Sequence, residues 1–444
     1  MEELVASAKQ RSPSSDAHFR LGLIGITAAA FMMRLAITLV TRGFDRAAQS
    51  DGDGFYYSFV AQAAADGRWF VIPLTGAPTA DHPPLTVLAL TPGWWLFGST
   101  LAQRVTMVLV GTATVAIIGL IGRRIGGNRV GIVAALIALV NPNLWINDSL
   151  TMSESLAALF VALLVWSGLA LADEPTLRRS IVTGLTLGVT LLARSELGWF
   201  IPLMVLPILL SARAISWPAR ARLVAVTVVC AALVLTPWIA WNATRFAKPV
   251  WLSNNAGSAI SGANCDATYF GRHIGGWSYE CGTAQDRTAL DGSENSSRGV
   301  RAGLSYVGHH LGRLPVVVLA REGRMFGFFQ PQSEVNTNVS EGRPRVASWA
   351  ALIAFWLLLI PSAIGMRTIA RQGPRGWIWP FVACFGCSVL TAATFYGIPR
   401  FRISLDVAMC LLAAVPIASW TTRRQDVMSL RRNHQEPIAT NTMT

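Results

Sequence analysis

Ten stretches of this chain are too long and too apolar to belong to an ordinary water-soluble fold. They lie at roughly 21–41, 101–121, 130–147, 154–172, 180–194, 197–212, 223–240, 346–365, 377–396 and 403–420. About 20 apolar residues cross the roughly 30 Å of hydrocarbon in a bilayer. In that medium each backbone N–H and C=O must find its partner inside the protein, which leaves helices or closed barrels. Runs of this length read as helices. Only 14% of the 444 residues are charged, against about a quarter in soluble proteins. The sequence predicts an all-α polytopic membrane protein with about ten transmembrane helices.

Charge orients them. The net charge is +13, carried almost wholly by arginine, since Lys9 and Lys248 are the only lysines. A GC-rich bacterial genome produces such a bias. Arg123, Arg124 and Arg129 lie in one connector. Arg178 and Arg179, then Arg213, Arg220 and Arg222, then Arg367, Arg371 and Arg375 follow in others, and Arg423, Arg424, Arg431 and Arg432 end the chain. These connectors alternate with arginine-poor ones, so the positive-inside rule makes them cytoplasmic. The division expected is a cytoplasmic segment at 1–20, a membrane core at 21–240 with a first outer loop at 42–100, a long extracytoplasmic loop at 241–345, C-terminal spans at 346–420 and a cytoplasmic tail at 421–444. Basic residues before Leu21 suit a retained signal anchor, because no small-residue cleavage site follows. Segment 84–98 contains Pro92, ends in Trp94 and Trp95, and is too short to span; it reads as an interfacial helix, as does 54–66. Within the long loop, apolar residues Leu304, Val307, Leu311, Leu314 and Val318 predict an amphipathic helix near 299–328 on the outer face.

Four of the six cysteines, Cys230, Cys384, Cys387 and Cys410, fall in apolar segments and read as packing residues. Cys265 and Cys281 share the long loop, and outside the cell a disulfide between them is the natural reading.

Ionisable residues collect at the outer boundary. Asp51 and Asp53 sit in the first outer loop, with Asp81 and His82 at its far end. Asp148 and Glu154 flank another outer connector, Arg194 and Glu196 a tight turn, and Arg400 and Arg402 the last turn. Charges at a lipid boundary are costly and mark function or pairing. Each also has a plainer reading. Asp51 and Asp53 suit a helix cap, His82 with its two prolines a helix start, and Glu154 the positive end of a helix dipole. Arg400 and Arg402 suit snorkelling toward headgroups, and Tyr56 and Tyr57 an aromatic belt. Taken together, carboxylates and arginines at one face fit chemistry on an anionic, lipid-anchored substrate. Arginine holds phosphate in a fork, and a carboxylate takes a proton from a hydroxyl.

At these residues the chain resembles a family. "DGFYY" at 53–57, "AADGRWF" at 64–70 and "HPPL" at 82–85 are similar to the first outer loop of GT-C-fold glycosyltransferases, in particular protein O-mannosyltransferases and lipid A aminoarabinose transferases. "NPNLWINDSLTMSESL", "LLARSELG", "LTPWIAWN" and "FYGIPRFRISL" extend the resemblance over about residues 20–420. It implies a polyprenyl-phosphate sugar donor, an acceptor that is an envelope glycan, lipid or protein, and a site on the extracytoplasmic face of a bacterial cytoplasmic membrane. Asp53, four residues before Tyr57, aligns with the first-loop acid, the base or acceptor-orienting group, and Asp51 is an extra acid able to share that role. Glu154 aligns with the second-loop acid and His82 with a basic residue near the donor phosphate. Tyr57 and Tyr56 are expected to touch substrate. Something cationic must meet the departing phosphate, and the candidates are Arg400 and Arg402, then His82, then Arg194. Gly54 replaces the usual second acid, which leaves a divalent metal ion (Mg or Mn) an open question.

Two other classes compete. A lipid-linked oligosaccharide flippase or other transporter would bury charge near the midplane and repeat its halves; this chain has no repeat. A non-catalytic envelope polysaccharide assembly protein is the other. A nucleic-acid partner has no support, because no soluble segment interleaves basic and base-stacking residues.

Overall fold

A computed structural model describes residues 13–42, 52–284 and 291–433, the last thirteen by backbone alone. Asp51, Lys9, Arg11 and the chain after Asn433 lie outside the described residues. Among those described the regular structure is helical, with one isolated bridge between Val71 and Pro78.

Helix α1 (Pro13–Arg42) leads to two shorter helices of the first loop, α2 (Asp53–Ala65) and α3 (Leu85–Phe97), and then to α4 (Thr100–Val140). Straight, α4 would reach about 60 Å, twice a bilayer. It reverses instead at Gly126 and Gly127, where Gly127 adopts φ 81°, a conformation costly for any residue with a Cβ. The limbs then pack closely enough that a Cβ on Gly131 would stand 2.7 Å from the Gly119 carbonyl. α5 (Ser153–Asp173) and α6 (Leu177–Ala193) follow. Residues 195–211 form no single helix. With Pro202 and Pro207 removing donors, they pass through a 3₁₀ turn (Ser195–Trp199), a π turn (Ile201–Val205) and a short α-helix (Leu206–Ser211).

α7 (Trp217–Ala243) enters the long loop, which is folded throughout its described length: α8 (Ala256–Ala263), α9 (Gly292–His309), α10 (Leu314–Met325) and α11 (Pro331–Ser340). The single amphipathic helix expected over 299–328 is in fact two. The chain breaks at His310–Arg313, where Gly312 weakens the helix and Pro315 suits the first turn of the next. Leu304 and Leu311 face outward, while Gly299 and Gly303 are the buried face, against α8. α12 (Arg345–Gln372), α13 (Ile378–Thr394) and α14 (Ile403–Asn433) complete the bundle. Among the described residues six helices are long and apolar enough to cross a membrane; Leu85–Phe97, Ser195–Ser211 and Ile378–Thr394 are shorter apolar segments.

α1 packs on α4, α6 on α7, and α12 and α4 on α14. Without water as a driving force inside lipid, such helices hold by close van der Waals contact at small residues; Gly184 meets the Thr227 carbonyl and Gly365 that of Leu412. The two ends differ in chemistry. At one, Arg123 bonds Asp16 (2.6 Å) and Arg124 bonds Asp173 (2.5 Å), so the first helix, the α4 hairpin and the end of α5 meet there. Glu154, at the opposite end of α5, belongs to the other. Over that end a separate apolar cluster of Tyr57, Val60, Val87, Leu90, Met107, Leu156, Trp238 and Val250 seats α2 and α3 on the bundle. Truncating Leu90 there to Ala would cost about 2–5 kcal/mol by the cavity left behind.

Candidate active site

Six separate stretches of chain deliver the side chains. Gly52, with φ 142°, turns the chain into α2 as its N-cap and makes no side-chain cap. Asp53 is therefore the first helical residue. Its carboxylate does not cap the helix; it bonds the Arg400 guanidinium, and its other oxygen stands 3.4 Å from His82 Nε2. Burial raises the Asp53 pKa, but Arg400 and His82 outweigh it and hold the group well below the usual carboxylate value. His82 lies between two aromatic rings, Tyr56 edge-on at 5.2 Å and Tyr57 at 5.0 Å. The Tyr56 hydroxyl is engaged with Thr79 (3.1 Å), and Tyr57 is buried. Asp81 beside it is raised in pKa by burial, with Asp53 adding to the rise and His82 opposing it.

Glu154 occupies the first turn of α5, where the helix dipole favours an acid. It is 1% exposed and shared by two arginines, Arg194 Nη1 at 2.9 Å and Arg400 Nε at 3.3 Å. Arg194 also bonds Glu196 and donates to Ser153 Oγ (3.3 Å). It is thus tied to acids on both sides.

Arg400 and Arg402 part company. They stand in a 3₁₀ turn (Pro399–Arg402), whose three-residue period swings side chains two apart by about 240°. Arg400 faces the acids. Arg402 turns away, fully buried, donating to Met325 O (2.8 Å) and Asn143 Oδ1 (3.2 Å), approaching Asp406 (3.5 Å) and lying 4.0 Å over the Phe355 ring. It braces α10, α12 and α14.

The long loop brings in a third acid. Glu341, at the end of α11, bonds Arg400 Nη1 at 3.0 Å and pairs with Arg343, whose Nε reaches Asn147 Oδ1 at 2.9 Å. Reasoning from sequence passed over both. The signal was the run "SEGRPR" at 340–345, an acid between polar residues just before an apolar run. Asp148 points elsewhere, into a buried pair with Arg34 (2.8 Å) and a bond from Ser155 (2.6 Å).

Cys265 and Cys281 are joined in a disulfide. Their loop touches the linker before the 3₁₀ turn, for Gly397 N–H donates to Gly275 O at 2.8 Å.

Among the described residues Asp53, Glu154 and Glu341 are gathered on Arg400, with Arg194 and Arg343 holding Glu154 and Glu341 from behind. Among the described residues no group of three His, Cys, Asp or Glu is arranged to hold a metal ion. So placed, the residues do not fit a metal centre, because a guanidinium already fills the place where their charges meet.

The helical bundle has the GT-C architecture. The chain covers 94% of itself and 52% of the Archaeoglobus fulgidus oligosaccharyltransferase solved with a tethered acceptor peptide, at a TM-score of 0.52 and 13% identity. The same protein solved with zinc and sulfate gives 0.50 and 11%, covering 89% of this chain and 49% of that one. The chain therefore spans about half the length of that enzyme. ArnT from Cupriavidus metallidurans in the apo state aligns at 0.42 and 16%, over 89% of this chain and 77% of that one. Residues 81–241 match the family described as dolichyl-phosphate-mannose-protein mannosyltransferase, a span that holds His82, Glu154 and Arg194 and leaves Asp53, Glu341 and Arg400 outside. No curated protein matches the chain in sequence.

Proposed function

We propose that this protein is an integral membrane glycosyltransferase. It moves a hexose or pentose from a polyprenyl-phosphate donor to an envelope glycan, lipid or protein, at the extracytoplasmic face of a bacterial cytoplasmic membrane. One observation carries the reading: Arg400 gathers Asp53, Glu154 and Glu341 at the end of the bundle opposite the basic connectors. The match to a mannosyltransferase family over 81–241 supports the same class of donor.

The acceptor hydroxyl attacks the anomeric carbon, the bond from that carbon to the phosphate oxygen breaks, and the hydroxyl proton passes to Asp53. The phosphate leaves as a monoester with one more negative charge. Arg400 is the cation placed to meet it, its fork matching two phosphate oxygens. Arg400 keeps Asp53 ionised but a weak base. As charge builds on the phosphate, the guanidinium is drawn toward it, its grip on Asp53 loosens, and the carboxylate becomes more basic when the proton must move. Glu154 and Glu341 hold Arg400 in position, and Arg194 and Arg343 hold them. Tyr56 and Tyr57 orient His82 against Asp53. Arg402 serves the packing behind the turn.

The test is to incubate purified full-length protein with a panel of polyprenyl-phosphate sugars and an envelope extract as acceptor. The expected result is consumption of one donor with release of polyprenyl phosphate. Consumption of none overturns the proposal.

A further inference from the structure

The linker between α13 and the 3₁₀ turn, Phe395–Ile398, is held from several directions. Gly397 donates its N–H to Gly275 O inside the disulfide loop. It lies so close to Arg321 that a Cβ would stand 2.0 Å from that carbonyl. Arg321 itself is 1% exposed and bonds Ala393 O (2.7 Å), Ala263 O (2.9 Å) and Asn264 Oδ1 (2.9 Å). The backbone on both sides of Tyr396 is thereby fixed.

The Tyr396 side chain is not used in this bracing. Its ring lies 4.9 Å from that of Phe401, which carries the Arg194 guanidinium at 5.7 Å. Its hydroxyl has no hydrogen-bond partner among the described residues. Burial raises its pKa to about 12; Arg400 and Arg194 oppose the rise, while Asp53 and Glu341 add to it. It remains a phenol, able to donate at any physiological pH.

A donor whose phosphate sits on Arg400 and whose anomeric carbon lies beside Asp53 has its sugar ring within a few ångströms of both. A sugar presents an apolar face of C–H bonds and a rim of hydroxyls. Tyr56 has its hydroxyl on Thr79, and Tyr57 is buried. Tyr396 offers both an aromatic face and an uncommitted donor.

We propose that Tyr396 is the residue that reads the donor sugar, its ring backed by Phe401 lying along the sugar's C–H face and its hydroxyl bonding a sugar hydroxyl. The assignment rests on the reading of Arg400 and Asp53 given above. It makes the Cys265–Cys281 loop, through Gly275, a support for sugar specificity.

The experiment compares farnesyl phosphate with a panel of farnesyl-phosphoryl sugars, measuring binding to the full-length protein and to the Tyr396→Phe and Tyr396→Ala variants. The panel member bound most tightly by the unaltered protein is the probe. One neutral hydrogen bond lost should weaken that probe about 3- to 10-fold in Tyr396→Phe, and further in Tyr396→Ala, with farnesyl phosphate unchanged within about twofold. Equal weakening of both lipids, or of neither, overturns the role of Tyr396. Failure of the unaltered protein to bind either lipid overturns the reading of Arg400 and takes this one with it. Arg400→Ala weakening both lipids alike, while Tyr396→Phe weakens only the sugar-bearing one, supports both.

Discussion

Arg400→Ala removes the guanidinium on which the acids converge, and the structure says what each acid has left. Asp53 keeps His82 at 3.4 Å, Glu154 keeps Arg194 at 2.9 Å, and Glu341 keeps Arg343. Breaking a buried ion pair by deleting one partner costs about 3–5 kcal/mol when the other charge is left alone. Here no acid is left alone, and Asp53 and Glu341 are 27% and 19% exposed, so the variant is expected to fold with a loss at or below the bottom of that range. The reaction fares worse. Removing a donor aimed at developing negative charge costs about 10²–10³ in rate, and Arg400→Ala should lose at least that much. Arg400→Lys returns a charge but not the fork. A single ammonium reaching Asp53 cannot also hold Glu341 and a phosphate, so recovery to within about tenfold of the Ala variant is expected. The assay is turnover of a labelled polyprenyl-phosphate sugar in detergent, with thermal unfolding measured on the same preparations. Turnover of both variants within about twofold of the parent would falsify the phosphate assignment and pass it to His82. Loss of turnover together with collapse of the unfolding transition would instead mean that Arg400 chiefly holds the fold.

Asp53→Asn should bind donor yet lose about 10²–10⁴ in rate; an undiminished rate in that variant removes Asp53 from the proton step. Because the acids are already neutralised by arginine, a chelator should leave turnover unchanged, and restoration of a chelated enzyme by Mg or Mn would contradict this account of the charge balance. The Cys265–Cys281 bond closes a loop of 16 residues' separation, so replacing both by Ser should destabilise the folded long loop by about 3 kcal/mol on the chain-entropy estimate; free thiols found at both positions by mass spectrometry of unreduced peptides would end the argument. Glu322, on α10, has both carboxylate oxygens buried without a partner, and burial raises its pKa from 4.5 to about 7. The folded protein thus keeps a proton that the unfolded chain has released. The Glu322 contribution to stability is therefore greatest below pH 4.5, falls as pH rises toward 7 and then levels; Glu322→Gln should flatten that part of the slope, and an unaltered slope in the variant refutes the cause.

Much of the architecture follows from composition and spacing. A run of about 20 apolar residues has few alternatives to helix in lipid, so the runs at 21–41, 154–172, 223–240, 346–365 and 403–420 appear as helices near those bounds. The pairing of Arg123 with Asp16 and Arg124 with Asp173 likewise joins segments that charge alternation had put on one side. Asp53, His82, Glu154 and Arg194 stood out because an ionised group at a lipid boundary needs a reason to be there, and each lies at the end of the bundle where such groups meet.

Other features had no local signature. Whether Arg400 and Arg402 share a direction depends on whether their turn is extended or helical, and the 3₁₀ turn sends them to opposite sides. Glu341 and Arg343 lie nearly 300 residues from Asp53 in a loop rich in Gly, Ser and Asn; Glu341 reaches Arg400, and Arg343 reaches Glu341, only because α8 to α11 fold back over the bundle. Tyr396 had no signal of its own in the sequence; contacts of Gly397 with Gly275 and Arg321 fix the backbone beside it. A sequence by itself determines which segments enter the bilayer and which ends carry charge, because transfer into lipid is a sum over neighbouring residues. Which charges meet is decided by tertiary structure, because an ion pair depends on distances of 3 Å between atoms that the chain brings together only after every helix has packed.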